Sequence, residues 1–221
     1  MATIDPSTIG TVDFAYQGET YQTWYKVYGD LKNTSRPPII ILHGGPGMSH
    51  DYLLPMSDLC SIANIPTIFY DQVGNARSTH ITGKPKSFWT VELFVEELDN
   101  LINHLGISQS YDLYGHSWGG ILATEFEVRK KPAGLRRLVL SNTLAAFSLW
   151  KQSMRNLMQI FPADVQEALT KGMTDPDRFG PALQKFQSVY HCRIDPRPKE
   201  YADSVNWVFG PHGNRDIVAS G

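Results

Sequence analysis

The run Ile39-Ile40-Ile41-Leu42 is the feature that most constrains the fold. Four consecutive aliphatic residues leave no position free to face water. A strand of this kind must be buried on both faces, as inside a parallel sheet covered by helices on either side. It ends abruptly in His43-Gly44-Gly45-Pro46-Gly47. Three further strands are predicted at 65–70 (IPTIFY), 111–114 and 135–140 (LRRLVL). Helical stretches separate them at 50–62, 90–105 and 121–131. The clearest is 90–105, where Val91, Phe94, Val95, Leu98, Leu101, Ile102 and Leu105 recur on one face and Gly106 supplies a left-handed stop. Strand and helix therefore alternate from 39 to 140, which predicts an α/β fold with a mostly parallel sheet.

Two segments flank that alternation. Residues 11–16 and 20–28 are rich in Thr, Tyr, Phe, Trp and Val around Gln17-Gly18-Glu19, and read as an N-terminal β-hairpin. Residues 146–172 are helical and amphipathic with a break at Pro162; 173–221 are polar, aromatic and proline-rich. The expected division is a core at 1–145 and a helical cap at 146–221.

Composition excludes several classes. The 221 residues are 42% hydrophobic and 19% charged, which is globular usage. With 20 basic and 22 acidic residues the net charge is −2, giving no footprint for nucleic acid or an anionic membrane. Two cysteines, Cys60 and Cys192, make no disulfide framework and no zinc spacing. No apolar run approaches the ~18–20 residues of a membrane span, and MATIDPSTIG lacks the basic start and apolar stretch of a signal peptide. The expectation is a soluble cytoplasmic protein with no nucleic-acid or membrane partner.

The chemistry sits at two strand ends. Gly115-His116-Ser117-Trp118-Gly119 fits G-x-S-x-G, and it lies between a predicted strand and a predicted helix, the setting of a nucleophile elbow. Ser117 is the candidate catalytic nucleophile. The helix that follows aims free N–H groups at developing negative charge. Acyl transfer needs two such donors. One is the N–H of Trp118; the other comes from the glycine loop, with Gly45 favoured over Gly44.

Together, HGGPG and GHSWGG resemble the proline iminopeptidase family of α/β-hydrolases. The segment Asp71-Gln72-Val73-Gly74-Asn75-Ala76-Arg77-Ser78 resembles that family's DQxGxGxS, with Ala76 at its middle glycine. His191-Cys192-Arg193-Ile194-Asp195-Pro196 and Gly210-Pro211 resemble stretches of its cap, so the likeness covers most of the chain. It implies the α/β-hydrolase fold and serine hydrolysis of an amide: removal of an N-terminal residue from a small peptide, or cleavage of an amino-acid amide or ester. No metal or organic cofactor is implied. The family's cap motif continues G-P-x-E-F, and the acid helps hold the substrate ammonium; here Gly213 stands at that position. An esterase, lactonase or non-peptide amidase is therefore an alternative, and a catalytically silent binding protein is another. Candidates for substrate contact are His43, Trp150, Tyr190 and Trp207, with plain packing the alternative for each. Asp71 and Gln72 are expected to brace the elbow or loop, with Arg77 pairing Asp71.

Ser117 also needs a base and an orienting acid. In this fold the order is Ser, then Asp or Glu, then His. His191 and His212 follow Ser117, with Asp175, Asp177 and Asp195 ahead of one or both, but all fall in the expected cap. The resemblance places both missing residues on strands after the cap. The expectation is therefore that those C-terminal strands are absent from this chain, and that a second polypeptide supplies the acid and the histidine.

Overall fold

The computed structural model describes residues 5–32 and 35–210. Its frame is a six-stranded sheet in the order β1-β2-β4-β3-β5-β6. The strands are β1 (Thr8–Tyr16), β2 (Glu19–Tyr28), β3 (Ile39–Leu42), β4 (Thr67–Asp71), β5 (Tyr111–His116) and β6 (Leu135–Ser141). β1 and β2 form the hairpin, and β2 joins β4 antiparallel. β4, β3, β5 and β6 run parallel.

The aliphatic run behaves as its composition demands. Ile40 and Leu42 enter a cluster with Ile68, Tyr70 and Leu113. That cluster is closed by Leu98 and Leu101 of α2 (Val91–His104) and by Leu122 and Phe126 of α3 (Trp118–Lys130). Ile41 points the other way, to Phe69, Tyr28 and Leu53, with Tyr52 and Cys60 packed alongside. Each such aliphatic side chain contributes roughly 1.5–3 kcal/mol by leaving water.

Element ends follow local chemistry. Thr90 caps α2 by accepting the Leu93 N–H at 3.2 Å, and Gly106 takes the left-handed turn (φ +68°) beyond it. Residues 50–57 wind as a 3-10 helix containing Pro55 before α1 (Asp58–Ala63), where one helix was expected. β5 runs two residues beyond its expected end because Gly115 and His116 still pair with Leu140 and Ser141. α3 begins at Trp118 rather than 121, since its first turn is glycine-rich and carries no apolar period.

The chain packs as two units, with a break after Thr143; the second unit is Leu144–Lys199 and the first resumes at Glu200. The second unit holds α4 (Phe147–Met158), α5 (Ala163–Lys171) and α6 (Pro176–Tyr190). Val165, Ala168 and Ala182 form its small core. The expected cap, 146–221, thus contains a segment that packs elsewhere: α7 (Lys199–Phe209) docks on the first unit through Ser204, whose Oγ lies 2.9 Å from Ser49 Oγ.

One core residue carries a pH signature. Glu97 of α2 is fully buried, and its Oε1 accepts from Thr23 Oγ1 (2.5 Å) and Val73 N–H (2.9 Å). Burial, with a smaller push from Asp71, raises its pKa to about 8 despite those two bonds. Between the ordinary glutamate value and about 8 the folded chain holds a proton that the unfolded chain releases. This contribution is whole below that window and is lost as pH rises through it, by at most about 1.4 kcal/mol per pH unit. Glu97→Gln keeps the acceptor and removes the titration. Urea unfolding at pH 5, 7 and 9 is expected to show the variant gaining on wild type as pH rises; a constant gap would refute the assignment.

Candidate active site

Ser117 joins β5 directly to α3 at φ 54°, ψ −119°. A non-glycine residue held in so sparse a region costs about 1–3 kcal/mol and persists only where its surroundings fix it. Those surroundings come from the end of β6. The Ser117 N–H donates to Ser141 O (2.9 Å), and Thr143 Oγ1 donates to Ser117 O (2.7 Å). The flanking glycines are sterically required. A Cβ on Gly119 would lie within 3.0 Å of the Leu42 and His43 carbonyl oxygens, and one on Gly115 equally close to the backbone of Gly119. G-x-S-x-G is therefore the pattern that lets α3 press against the β3 end.

The glycine loop after β3 meets Ser117 closely. The point where a Gly44 Cβ would stand is 3.2 Å from Ser117 Cβ and 3.0 Å from Tyr52 Oη. Gly44 N–H donates to Tyr52 Oη at 2.7 Å, and the same oxygen lies 2.7 Å from His116 Nδ1. Burial pushes the Tyr52 hydroxyl well above its ordinary value. Gly45 has φ +132°. Among the described residues nothing accepts the N–H of Gly45 or of Trp118.

Gln72, at the end of β4, ties loop to elbow. Its side-chain amide donates to His43 O (3.3 Å) and accepts the Trp118 indole N–H (2.9 Å). Its backbone N–H donates to His43 Nε2 (3.1 Å), so His43 carries its proton on Nδ1 and gives it to Gly44 O (2.8 Å). With Nε2 accepting and Nδ1 donating the ring is neutral, and burial lowers its pKa. His43 was expected against substrate. It is instead fully buried with both nitrogens engaged, because a ring at the first position of this loop lies beneath it.

Beside the loop lies a buried ionic cluster that the sequence revealed only in part. Asp71 pairs with Arg77 (3.1 Å) as expected, and also accepts from His50 through its backbone N–H (2.9 Å) and Nδ1 (2.8 Å). Burial alone would raise the Asp71 pKa; the His50 pairing, then Arg77, hold it well below the ordinary value. Arg77 forks onto Asp51 at 2.9 and 3.0 Å. Its guanidinium lies 5.0 Å from the Trp24 ring and 5.5 Å from the Trp207 ring. Ala76, where the family pattern has glycine, sits at φ 43°, the left-handed conformation that explains the pattern.

Residues 37–207 match the alpha/beta hydrolase fold family. The chain belongs to that family. Among its α/β-hydrolase relatives, the proline iminopeptidase of Lactobacillus delbrueckii subsp. lactis is 34% identical over 180 residues, 80% of this chain and 60% of the relative. The chain thus spans about 60% of the length of the curated relatives it matches. The crystal structure of VinJ superposes with a TM-score of 0.88 at 43% identity, covering 97% of this chain and 71% of VinJ. That of the Mycobacterium smegmatis proline iminopeptidase gives 0.78 at 33%, covering 95% and 69%. The likeness to proline iminopeptidases read from HGGPG and GHSWGG is borne out, and with it the α/β-hydrolase fold.

The other expected site residues divide between the two units. Trp207 is in α7, against Arg77 and also 6.4 Å from the His80 ring. Trp150 and Tyr190 belong to the second unit. Trp150 is 40% exposed and stacks on Phe147, whereas Tyr190 packs on Phe161 and Phe186. Gly213 and His212 lie outside the described residues. Tyr52, Asp51, His50 and Ser204 were not legible in advance, because none falls in a motif. The nearest signal was the position of 49–52 directly after the glycine loop. No helix among the described residues is long and apolar enough to cross a membrane.

Proposed function

We propose that this chain is the nucleophile-bearing part of a serine hydrolase that cleaves an amide of a small peptide or amino-acid amide through an acyl-enzyme. The observation that carries the reading is Ser117 in a strained strand-to-helix turn, with two N–H groups, those of Gly45 and Trp118, lacking acceptors among the described residues. In this reading Ser117 Oγ attacks the acyl carbon, and the two N–H groups hold the oxyanion. Gly44 cannot be the donor while Tyr52 holds its N–H. The relatives named proline iminopeptidase supply the substrate class. Trp150, Tyr190 and Trp207 are proposed as substrate contacts.

The base and acid are proposed to come from residues that this sequence does not contain, whether on the same polypeptide or on another. The described histidines of the first unit each hold another partner: His43 the loop, His50 Asp71, His80 Ala76 O, His104 Tyr25 and His116 Tyr52. Among the described residues β6 is an edge strand, with Val139 and Leu140 44% and 47% exposed, and it offers a place for a further strand. A second reading, an ester or non-peptide amide hydrolase, is favoured by Gly213 at the ammonium-binding acid's position.

Rates on L-prolyl arylamide, its N-acetyl form and p-nitrophenyl acetate, with native mass spectrometry of the active species, test all of this. Preference for the free amine, in a species larger than this chain, is expected. Equal or faster cleavage of the blocked amide or ester would replace the peptidase reading with the second. Full activity of this chain alone would place the base and acid within it.

A further inference from the structure

Tyr52 belongs to none of the motifs, yet its hydroxyl, like the Gln72 amide, touches both the glycine loop and the elbow. Oη accepts the Gly44 N–H at 2.7 Å and lies 2.7 Å from His116 Nδ1, with the two rings edge-on at 5.3 Å. The residue is anchored at its other end. Its backbone N–H donates to Ser204 Oγ of α7 at 3.1 Å. Ser204 is fully buried, and the direction of its own bond is set. Ser49 Oγ gives its proton to Asp51 (2.6 Å), so the Ser204 hydroxyl donates to Ser49, whose Oγ and carbonyl lie at 2.9 and 3.2 Å.

We infer that Tyr52 is a positioning residue: seated by Ser204, its hydroxyl takes up the Gly44 N–H, leaves Gly45 as the loop's oxyanion donor, and hands its proton to His116 Nδ1 beside Ser117. A tyrosine hydroxyl has one proton. With the Gly44 N–H on one lone pair, the proton points to Nδ1, and His116 is the neutral Nε2–H tautomer. The order of donation is then Gly44 N–H to Tyr52 O–H to His116. Without the hydroxyl, the Gly44 peptide loses its acceptor and can turn, and the adjoining Gly45 peptide turns with it. Gly45 at φ +132° has no Cβ to resist that rotation. The oxyanion part of this inference rests on the serine hydrolase reading; the hydrogen-bond relay does not.

Tyr52→Phe in the full chain removes only the oxygen. Two measurements on it separate the questions. Ring nitrogen and amide NMR of His116, Gly44 and Gly45 is expected to show the Nε2–H tautomer in wild type, and all three signals displaced in the variant. Labelling of Ser117 by a fluorophosphonate, in which an Oγ–P bond forms and fluoride leaves, is expected to slow by about 10- to 100-fold, since one donor of the pair is misplaced rather than deleted. A His116 found as the Nδ1–H tautomer, or unmoved in Tyr52→Phe, overturns the relay. Unchanged labelling of the folded variant overturns the positioning role. If wild type takes no label even in the complete enzyme, with its base present, the nucleophile reading fails, and the NMR alone decides for or against the relay. Should Tyr52→Phe not fold, Ser204→Ala leaves the ring in place and is expected to move the same three signals in the same sense; no movement there counts against it.

Discussion

Ser117→Ala is expected to take no fluorophosphonate adduct and to lose hydrolysis by on the order of 10⁴- to 10⁶-fold in the complete enzyme, the scale set by removing a serine nucleophile elsewhere. The variant has a companion with the opposite sign. Ser117 is held at φ 54°, ψ −119°, which glycine tolerates and serine does not. Ser117→Gly should therefore abolish labelling and also raise stability, by about 1–2 kcal/mol. Alanine, with its Cβ, keeps the strain and should unfold near wild type. Intact-mass spectra after labelling and urea midpoints for the three proteins test both statements. An adduct retained in Ser117→Ala would move the nucleophile elsewhere. A glycine variant no more stable than the alanine variant would mean that the turn is not strained. Both expected outcomes together would mark Ser117 as a place where the fold gives up stability to hold a reactive atom.

The largest stability loss is expected at Asp71. Its two carboxylate oxygens receive the His50 N–H and Nδ1 on one side and the Arg77 guanidinium on the other, with no exposure to solvent. Asp71→Ala leaves a buried peptide N–H and imidazole without an acceptor, and leaves Arg77 with only Asp51. Breaking a buried pair from one side costs about 3–5 kcal/mol, which lowers the unfolding midpoint by on the order of 10 °C for a chain of this size. The pH dependence has a definite sign. The Asp71 pKa is depressed on folding, so its contribution is present above the ordinary aspartate value and lost as pH falls below about 4. The deficit of Asp71→Ala should be full at pH 7 and shrink in acid, where wild type loses the same interaction. Thermal unfolding of both proteins from pH 3 to 7 checks this. A deficit independent of pH would assign the loss to packing and not to charge.

Both predictions concern residues on the DQxGxGxS-like segment or the elbow, but they differ in how far the chain alone revealed them. The Ser117 turn was legible because a tight strand-to-helix turn demands glycines at fixed offsets. Asp71 was legible as a partner of Arg77, six residues away. Its bond to His50 was not, since residues 21 apart in sequence meet only when β4 and the turn after β3 are side by side. Ser204 and Tyr52 are the extreme case, 152 residues apart and joined by one hydrogen bond.

By itself the sequence determined the sheet, its parallel core and the elbow. Hydrophobic period, β-branching and glycine placement act over a few residues, and nothing distant had to be known. Only the tertiary structure decided which glycine N–H the loop keeps free, that His43 is buried beneath that loop, and that α7 packs with the first unit rather than the second. Each of those outcomes depends on a hydrogen bond or contact between side chains of ordinary type. Such a side chain acquires its role from the partner that folding brings to it.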